Sequence, residues 1–250
     1  MPFSHRLGVV DMRYDRQIII EGFGQDGQAK LSRAKVLVVG VGGLGCPALT
    51  YLVQAGIGKL GFIDSDVVSE SNLNRQFLHF EKDLGRKKVD SAFEKLIEIN
   101  SKVELVPLDI HLNKDNAREL IKGYDLVLAC LDNIETRMLL NKICLEEDIP
   151  VVNGGIDGFY GFAFVASRKG ACLECMGYQN TKMKHPFPAL GAVAGVIGSL
   201  QANMAIGMLL GNNSYQNKLF QFDARLMTLD EIDISISEDC SLHNRWKDEK

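Results

Sequence analysis

The chain lacks a surplus of charge: 28 Lys and Arg against 32 Asp and Glu leave a formal net charge of −4. It therefore has no bulk attraction for polyanions, and DNA is not an expected partner. It also lacks an apolar run suited to a bilayer. The longest apolar-rich helix candidate, Gly195 to Leu210 (GVIGSLQANMAIGMLL), is interrupted by Ser, Gln, Asn and Gly, so a buried core helix is expected there and no membrane partner. The opening residues, MPFSHRLGVVDMRYDRQ, show no sustained apolar core with a small-residue cleavage site, which argues against a secretory signal. The expectation is a cytoplasmic, reducing compartment in which the six cysteines form no disulfide framework. Repeats and low-complexity linkers are also missing, so the 250 residues are read as one domain spanning 1–250.

After a polar N-terminal segment, strand-like and helix-like runs alternate. Val36–Val39 is a β-branched run ending in glycines, Cys46–Ala55 reads as a helix closed by Gly56, and Leu60–Ile63 as a strand ending at Asp64. Val89, Ala92, Phe93, Leu96 and Ile97 form one apolar helical stripe. Residues 103–108, 125–129 and 150–152 are further strand candidates, with a polar helical stretch at 114–121. This alternation predicts an α/β, Rossmann-like doubly wound sheet whose first half is parallel. Residues 159–167, 218–224 and 227–236 read as strands without intervening helices, the last half-exposed by its alternation. They are expected to continue the same sheet antiparallel.

Gly40-Val-Gly42-Gly43-Leu-Gly45 fits G-x-G-x-x-G between a strand and a helix. Glycines there let backbone N–H groups approach phosphate oxygens, with the helix N-terminus adding a favourable dipole. Asp64, at the end of the next strand, is placed to hydrogen-bond a ribose. The pattern does not distinguish NAD from ATP, and the lysine-bearing G-x-x-x-x-G-K-[ST] loop is absent. The following segment, Asp64-Ser-Asp66 through Asn72-Leu-Asn-Arg75-Gln76 with Lys88 beyond, favours a reaction that expels pyrophosphate. Charge then builds on the departing phosphates, where Arg and Lys stabilise it. Asp132, beside Asn133 at the end of the fourth strand, lies at the edge where such sheets bind ligands and is a candidate Mg²⁺ ligand.

These residues, together with Arg13-Tyr-Asp-Arg16-Gln and Gly195-Val-Ile-Gly-Ser-Leu-Gln201-Ala, resemble the MoeB/ThiF adenylyltransferases, relatives of the ubiquitin-activating enzymes. The resemblance runs from about Met12 to His243. It implies MgATP-dependent adenylation of the C-terminal Gly-Gly carboxylate of a ubiquitin-like sulfur-carrier protein, of the molybdopterin or thiamine type, with release of pyrophosphate. By position it places Gly42 and its neighbours on the phosphates and Asp64 on the ribose. Asn72, Arg75 and Lys88 then contact the triphosphate, and Asp132 takes Mg²⁺ or the reacting phosphate. It also implies a homodimer, with Arg16 reaching the partner subunit's ATP.

Cys172-Leu-Glu-Cys175 and Cys240-Ser-Leu-His243 are two short chelating turns able to close a tetrahedral, structural Zn²⁺ site. In the resembling family the second pair is commonly C-x-x-C, so His243 is a departure. Relatives that go beyond adenylation often carry a cysteine in the loop before the Gly195 helix, but Met176–Gly191 has none, so no stable enzyme thioester is expected there. His185 in that loop reads as a surface residue. Cys46, Cys130 and Cys144 read as small buried hydrophobes. Competing readings are adenylation of a peptide, amino-acid or tRNA-base carboxylate, an NAD-dependent oxidoreductase, and a non-catalytic carrier-binding scaffold.

Overall fold

The computed structural model describes residues 12–178 and 188–246; His185 and most of its loop lie outside them. Eight strands form one sheet in the order β3-β2-β1-β4-β5-β6-β7-β8. β1 (Lys35–Val39), β2 (Lys59–Ile63), β3 (Glu104–Leu108), β4 (Leu126–Ala129) and β5 (Val151–Asp157) are parallel. β6 (Tyr160–Ala166), β7 (Lys218–Asp223) and β8 (Thr228–Asp233) continue it antiparallel. This is the expected Rossmann-like arrangement, with β1 and β4 adjacent and parallel and the strand order reversing between them.

Strand alternation explains the two layers. Val36 and Val38 of β1 enter one core with α3 (Gly45–Ala55), α4 (Lys88–Ile99) and α7 (Gly191–Leu210). Leu37 and Val39 enter the other with α5 (Ala117–Ile121) and α6 (Ile134–Glu146). Side chains two residues apart share a face, so the run of four apolar residues Val36–Val39 serves both cores only in a strand covered on each side. Two short N-terminal helices, α1 (Asp15–Ile18) and α2 (Gly24–Leu31), and the C-terminal α8 (Ser241–Asn244) complete the described α-helices.

α7 is the one described helix long and apolar enough, by length and composition, to cross a membrane. In this fold it packs on α3 and on β4, β5 and β6. Val193, Ala194, Ile197, Ala202, Met204 and Ala205 are buried there, which is the core-helix role expected of the sequence.

Several boundaries differ from the sequence reading. α7 begins at Gly191 rather than Gly195, and α5 covers only Ala117–Ile121 of the expected 114–121. β5 runs on through Asn153-Gly-Gly to Asp157. The N-terminal segment contains α1 and α2, and α6 was not read at all. β8 is not half-exposed: each of its six residues is exposed, because it is an edge strand with no layer over either face among the described residues.

Candidate active site and metal centre

The glycine turn connects β1 to α3 at the carboxyl edge of the parallel strands. Its glycines divide by what surrounds them. Gly40 has φ +101°, and a Cβ there would lie 2.9 Å from the Cys130 carbonyl carbon. A Cβ on Gly45 would lie 2.9 Å from the Gly40 carbonyl carbon. Close packing of turn, helix and β4 therefore accounts for these two. Gly42 and Gly43 are half-buried and meet only side chains nearby: a Cβ on Gly42 would lie 3.4 Å from Gln76 Nε2, and one on Gly43 would press on Ala194 Cβ at 3.3 Å. Folding alone makes little demand for glycine at these two positions. Close approach of a ligand to the backbone does.

Several of the predicted residues lie beside this turn or are tied to it by hydrogen bonds. Asp64 Oδ2 accepts the Val41 N–H at 2.8 Å, and its Oδ1 accepts the Asp66 N–H at 2.9 Å, so the end of β2 is tied to the turn. Lys88, in the first turn of α4, is buried and its Nζ donates to Asp66 Oδ2 at 2.8 Å. Arg75 lays its Cγ and Cδ 3.4 and 3.5 Å from the Cβ position of Gly43. Its guanidinium donates to the Ser71 carbonyl and the Asn74 side chain. Gln76 is 4% exposed and its Oε1 has no hydrogen-bond partner among the described residues. A buried acceptor left unpaired is costly and is a reason to expect a ligand donor beside it. Asn72 Oδ1 accepts the Ser69 N–H at 3.1 Å, which shapes the loop that carries Arg75.

Asp132 is exposed just past β4. Asn133, expected at the nucleotide, is the N-cap of α6 and accepts the Thr136 N–H at 2.8 Å. One helical turn on, Arg137 was missed by the sequence reading. It is buried and donates to the Gly154 carbonyl at 2.5 Å and to the Leu131 carbonyl, bracing the segment that bears Asp132 against β5. Burial lowers the Arg137 pKa, against the opposing pull of Tyr178, Cys130 and Asp132. Gln201, quoted only within a motif, reaches from α7 to the Ala129 and Val152 carbonyls at 3.1 and 3.0 Å. It fits because Gly154 has no side chain in its path. Asn133 followed four residues later by Arg on one helix face is a signal that points back at the strand end.

Arg16 is not brought to this turn. α1 is fastened to the far end of α3, where Tyr14 packs on Gly56 and Gln17 Nε2 donates to the Ala55 carbonyl at 2.9 Å. The 11 residues of α3 put that end roughly 16 Å from the glycines, at 1.5 Å per residue. Arg16 itself is exposed.

On the opposite layer, Cys172, Cys175, Cys240 and His243 converge, with all ligand atoms within 4.8 Å of one another. Cys172 Sγ is 3.7 Å from both Cys175 Sγ and Cys240 Sγ, and His243 Nδ1 lies 3.1 to 3.8 Å from the three sulfurs. A Zn–S bond of about 2.3 Å implies a tetrahedral S···S edge of roughly 3.8 Å, so the donors fit a single tetrahedral ion. His243 Nε2 donates to the Ser167 carbonyl at 3.3 Å, leaving the Nδ1 lone pair for a metal. Burial raises the pKa of Cys172 and Cys240. In the remaining cysteines, Cys46, Cys130 and Cys144, burial pushes each thiol up to about 12. These three are poor nucleophiles.

A protein named adenylyltransferase and sulfurtransferase MOCS3, from Aedes aegypti, is 40% identical over 239 residues, covering 92% of this chain and 54% of its own length. The SAMP-activating enzyme E1 of Haloferax volcanii is 36% identical over 235 residues, covering 91% and 87%. The chain spans about half the length of the MOCS3 relatives. The crystal structure of E. coli MccB with MccA-N7isoASN superimposes with a TM-score of 0.83 at 22% identity, over 95% of this chain and 75% of that one, a likeness of fold. The ThiF family profile matches residues 14–242, and with that extent of match the chain belongs to the ThiF family.

Proposed function

We propose that this chain is a single adenylation domain that activates the C-terminal Gly-Gly carboxylate of a ubiquitin-like sulfur carrier with ATP, releasing pyrophosphate. The observation that carries the reading is that Gly42 and Gly43 have side chains as their nearest neighbours, Gln76 at the first and Ala194 and Arg75 at the second, with the Lys88–Asp66 pair tied to the turn through Asp64. Two basic groups on the segment that follows Asp64 suit pyrophosphate departure and have no evident use in hydride transfer. The names of the MOCS3 and SAMP-activating relatives support a carrier substrate.

The carrier carboxylate is already ionised, so it attacks the α-phosphorus without a general base. The bond to the β-phosphate breaks and its electron pair leaves with pyrophosphate. The protein's contribution is positioning and charge neutralisation. The turn's backbone N–H groups hold the phosphates, Asp64 takes the ribose, and Asn72, Gln76, Arg75 and Lys88 face the triphosphate. Asp132, exposed and steadied by the Arg137 brace, holds Mg²⁺, a hard cation that shields phosphate charge. The zinc-type cluster holds Zn²⁺ structurally, since four protein donors leave no open position.

Arg16 acts on the ATP of the partner subunit in a homodimer. In support, α1 sits at the wrong end of α3 to serve its own turn. A groove between α3 and α7 is lined by Tyr51, Phe77 and Val196, whose exposures of 50%, 51% and 38% are unusual for large apolar groups at one spot. The buried thiols and the cysteine-free stretch before α7 favour adenylation without an enzyme thioester. All six cysteines are free, in keeping with a cytoplasmic setting. Carrier-dependent ATP–pyrophosphate exchange tests the reading. Exchange only with a Gly-Gly carrier supports it, and exchange with a peptide or amino acid instead replaces the substrate class.

A further inference from the structure

The residue between the first two glycines of the turn, Val41, is held at both of its polar atoms. Its N–H is taken by Asp64 Oδ2 at 2.8 Å, and its carbonyl lies 3.0 Å from the Nε2 of His79. His79 is 3% exposed and no part of the adenylation mechanism above uses it. A carbonyl only accepts, so Nε2 carries the proton. Burial, followed by the Lys88 and Lys95 cations, lowers the ring's pKa against the pull of the Val41 bond and Asp64. The neutral ring therefore presents Nδ1 as an acceptor to the Ser91 hydroxyl at 2.9 Å.

Ser91 in turn accepts from Lys95 Nζ at 2.8 Å, and Lys95 pairs with Asp83. Asp83 is fully buried and also takes the Phe80 N–H and the Arg86 guanidinium. Lys88, Ser91 and Lys95 stand at i, i+3 and i+7 on one stripe of α4. One helix face therefore delivers a cation to the site and an anchor to the ring. Cys46, the remaining titratable group nearby, is a neutral thiol whose Sγ lies 3.8 Å from the same Val41 carbonyl.

We propose that His79 is a positioning residue for nucleotide binding. By gripping the Val41 carbonyl from the Ser91–Lys95–Asp83 network, it sets the Val41–Gly42 peptide plane, and with it the direction of the Gly42 N–H, before ligand arrives. The proposal rests on the reading that this turn holds the nucleotide. Without the grip, ATP must order the turn as it binds, and the cost appears in affinity rather than in chemistry.

Two near-isosteric variants separate the grip from mere space-filling. His79→Gln keeps a donor at the Nε2 position but loses the Ser91 link. His79→Asn keeps an acceptor toward Ser91 and cannot reach Val41. Measured by calorimetry with MgATP, His79→Asn is expected to raise the ATP Kd about tenfold, the order of one lost buried hydrogen bond. His79→Gln should stay within about threefold of wild type. In pyrophosphate exchange the change falls on the ATP KM, with kcat at saturating ATP and the carrier KM held. Ser91→Ala, which leaves the ring in place but unanchored, gives an intermediate Kd and serves if His79→Asn does not fold. Equal affinity in the Gln and Asn variants, loss in the Gln variant matching that in Asn, or an unchanged Kd in Ser91→Ala would overturn the proposal. Failure of the wild-type chain itself to bind ATP would instead overturn the nucleotide reading, and this proposal with it.

Discussion

One added methyl group, placed at either of two glycines in the same turn, should separate folding from binding. At Gly45 the new Cβ would lie 2.9 Å from the Gly40 carbonyl carbon and nearer still to its oxygen. Both atoms are backbone, held by the Gly40 N–H bond to the Ile63 carbonyl at 2.8 Å, so neither yields as a side chain would. Overpacking of this kind costs roughly 1–3 kcal/mol, or a fall in Tm of roughly 2–12 °C for a chain of this size. At Gly42 the new Cβ would meet Gln76 Nε2 at 3.4 Å, ordinary contact with a side chain, and the backbone there is not left-handed. Stability should stay within about 1 kcal/mol of wild type. Yet that methyl stands where a phosphate oxygen must approach the N–H groups, so ATP affinity should fall by at least tenfold, ~1.4 kcal/mol. Thermal unfolding and calorimetric titration with MgATP read the two effects separately. Gly42→Ala binding ATP as well as wild type, or Gly45→Ala melting with it, would refute the division of the glycines.

Replacing Arg75 or Lys88 by Ala should depress pyrophosphate exchange far more than carrier binding. Lys88→Ala should cost less than about 1 kcal/mol in stability, because its partner Asp66 is 69% exposed on its side chain and is readily rehydrated. Equal loss of exchange and carrier binding would count against both roles. Arg16→Ala mixed with Asp132→Ala should regain part of the exchange activity that each lacks alone, and no recovery in mixed dimers would remove action in trans. Cys240→Ser should lower the zinc content per chain and the Tm together, as metal analysis and melting report. Protein that purifies without zinc and melts normally would discard the metal centre.

The parts of the fold that were legible in the sequence are those in which one rule dominates. β1, β2 and β4 are short β-branched or aliphatic runs, and Gly56 closes α3 in the left-handed conformation expected of it. α4 shows a clean stripe and buries Val89, Ala92 and Leu96 from it. α6 escaped because polar residues sit on its inward face. Arg137 and Asn141 are buried, spent on backbone groups of Leu131, Gly154 and Leu173, and they break the apolar periodicity that marks a helix. β8 misled in the other direction, since its alternation is real but nothing among the described residues covers it.

At the candidate site, the glycine turn and Asp64 were readable because a strand–turn–helix and the end of the next strand set their spacing, and Arg75 and Lys88 because they follow Asp64 in the loop and at the start of α4. His79 and Gln201 were not, because their partners are main-chain carbonyls 38 to 72 residues away that leave no local pattern. The four metal donors were readable as two short turns, but only the fold shows that residues 68 apart meet.

The central claim is that the glycine turn holds an ATP that is consumed on a carrier carboxylate. The most direct test is to incubate the protein with MgATP and a ubiquitin-like carrier ending Gly-Gly, then quantify pyrophosphate and the intact mass of the carrier. The account predicts one pyrophosphate for each carrier that gains an adenylyl group, and neither product with a carrier lacking its terminal glycines. Binding of NAD in place of ATP, or ATP split to ADP and phosphate with the carrier unchanged, would contradict it.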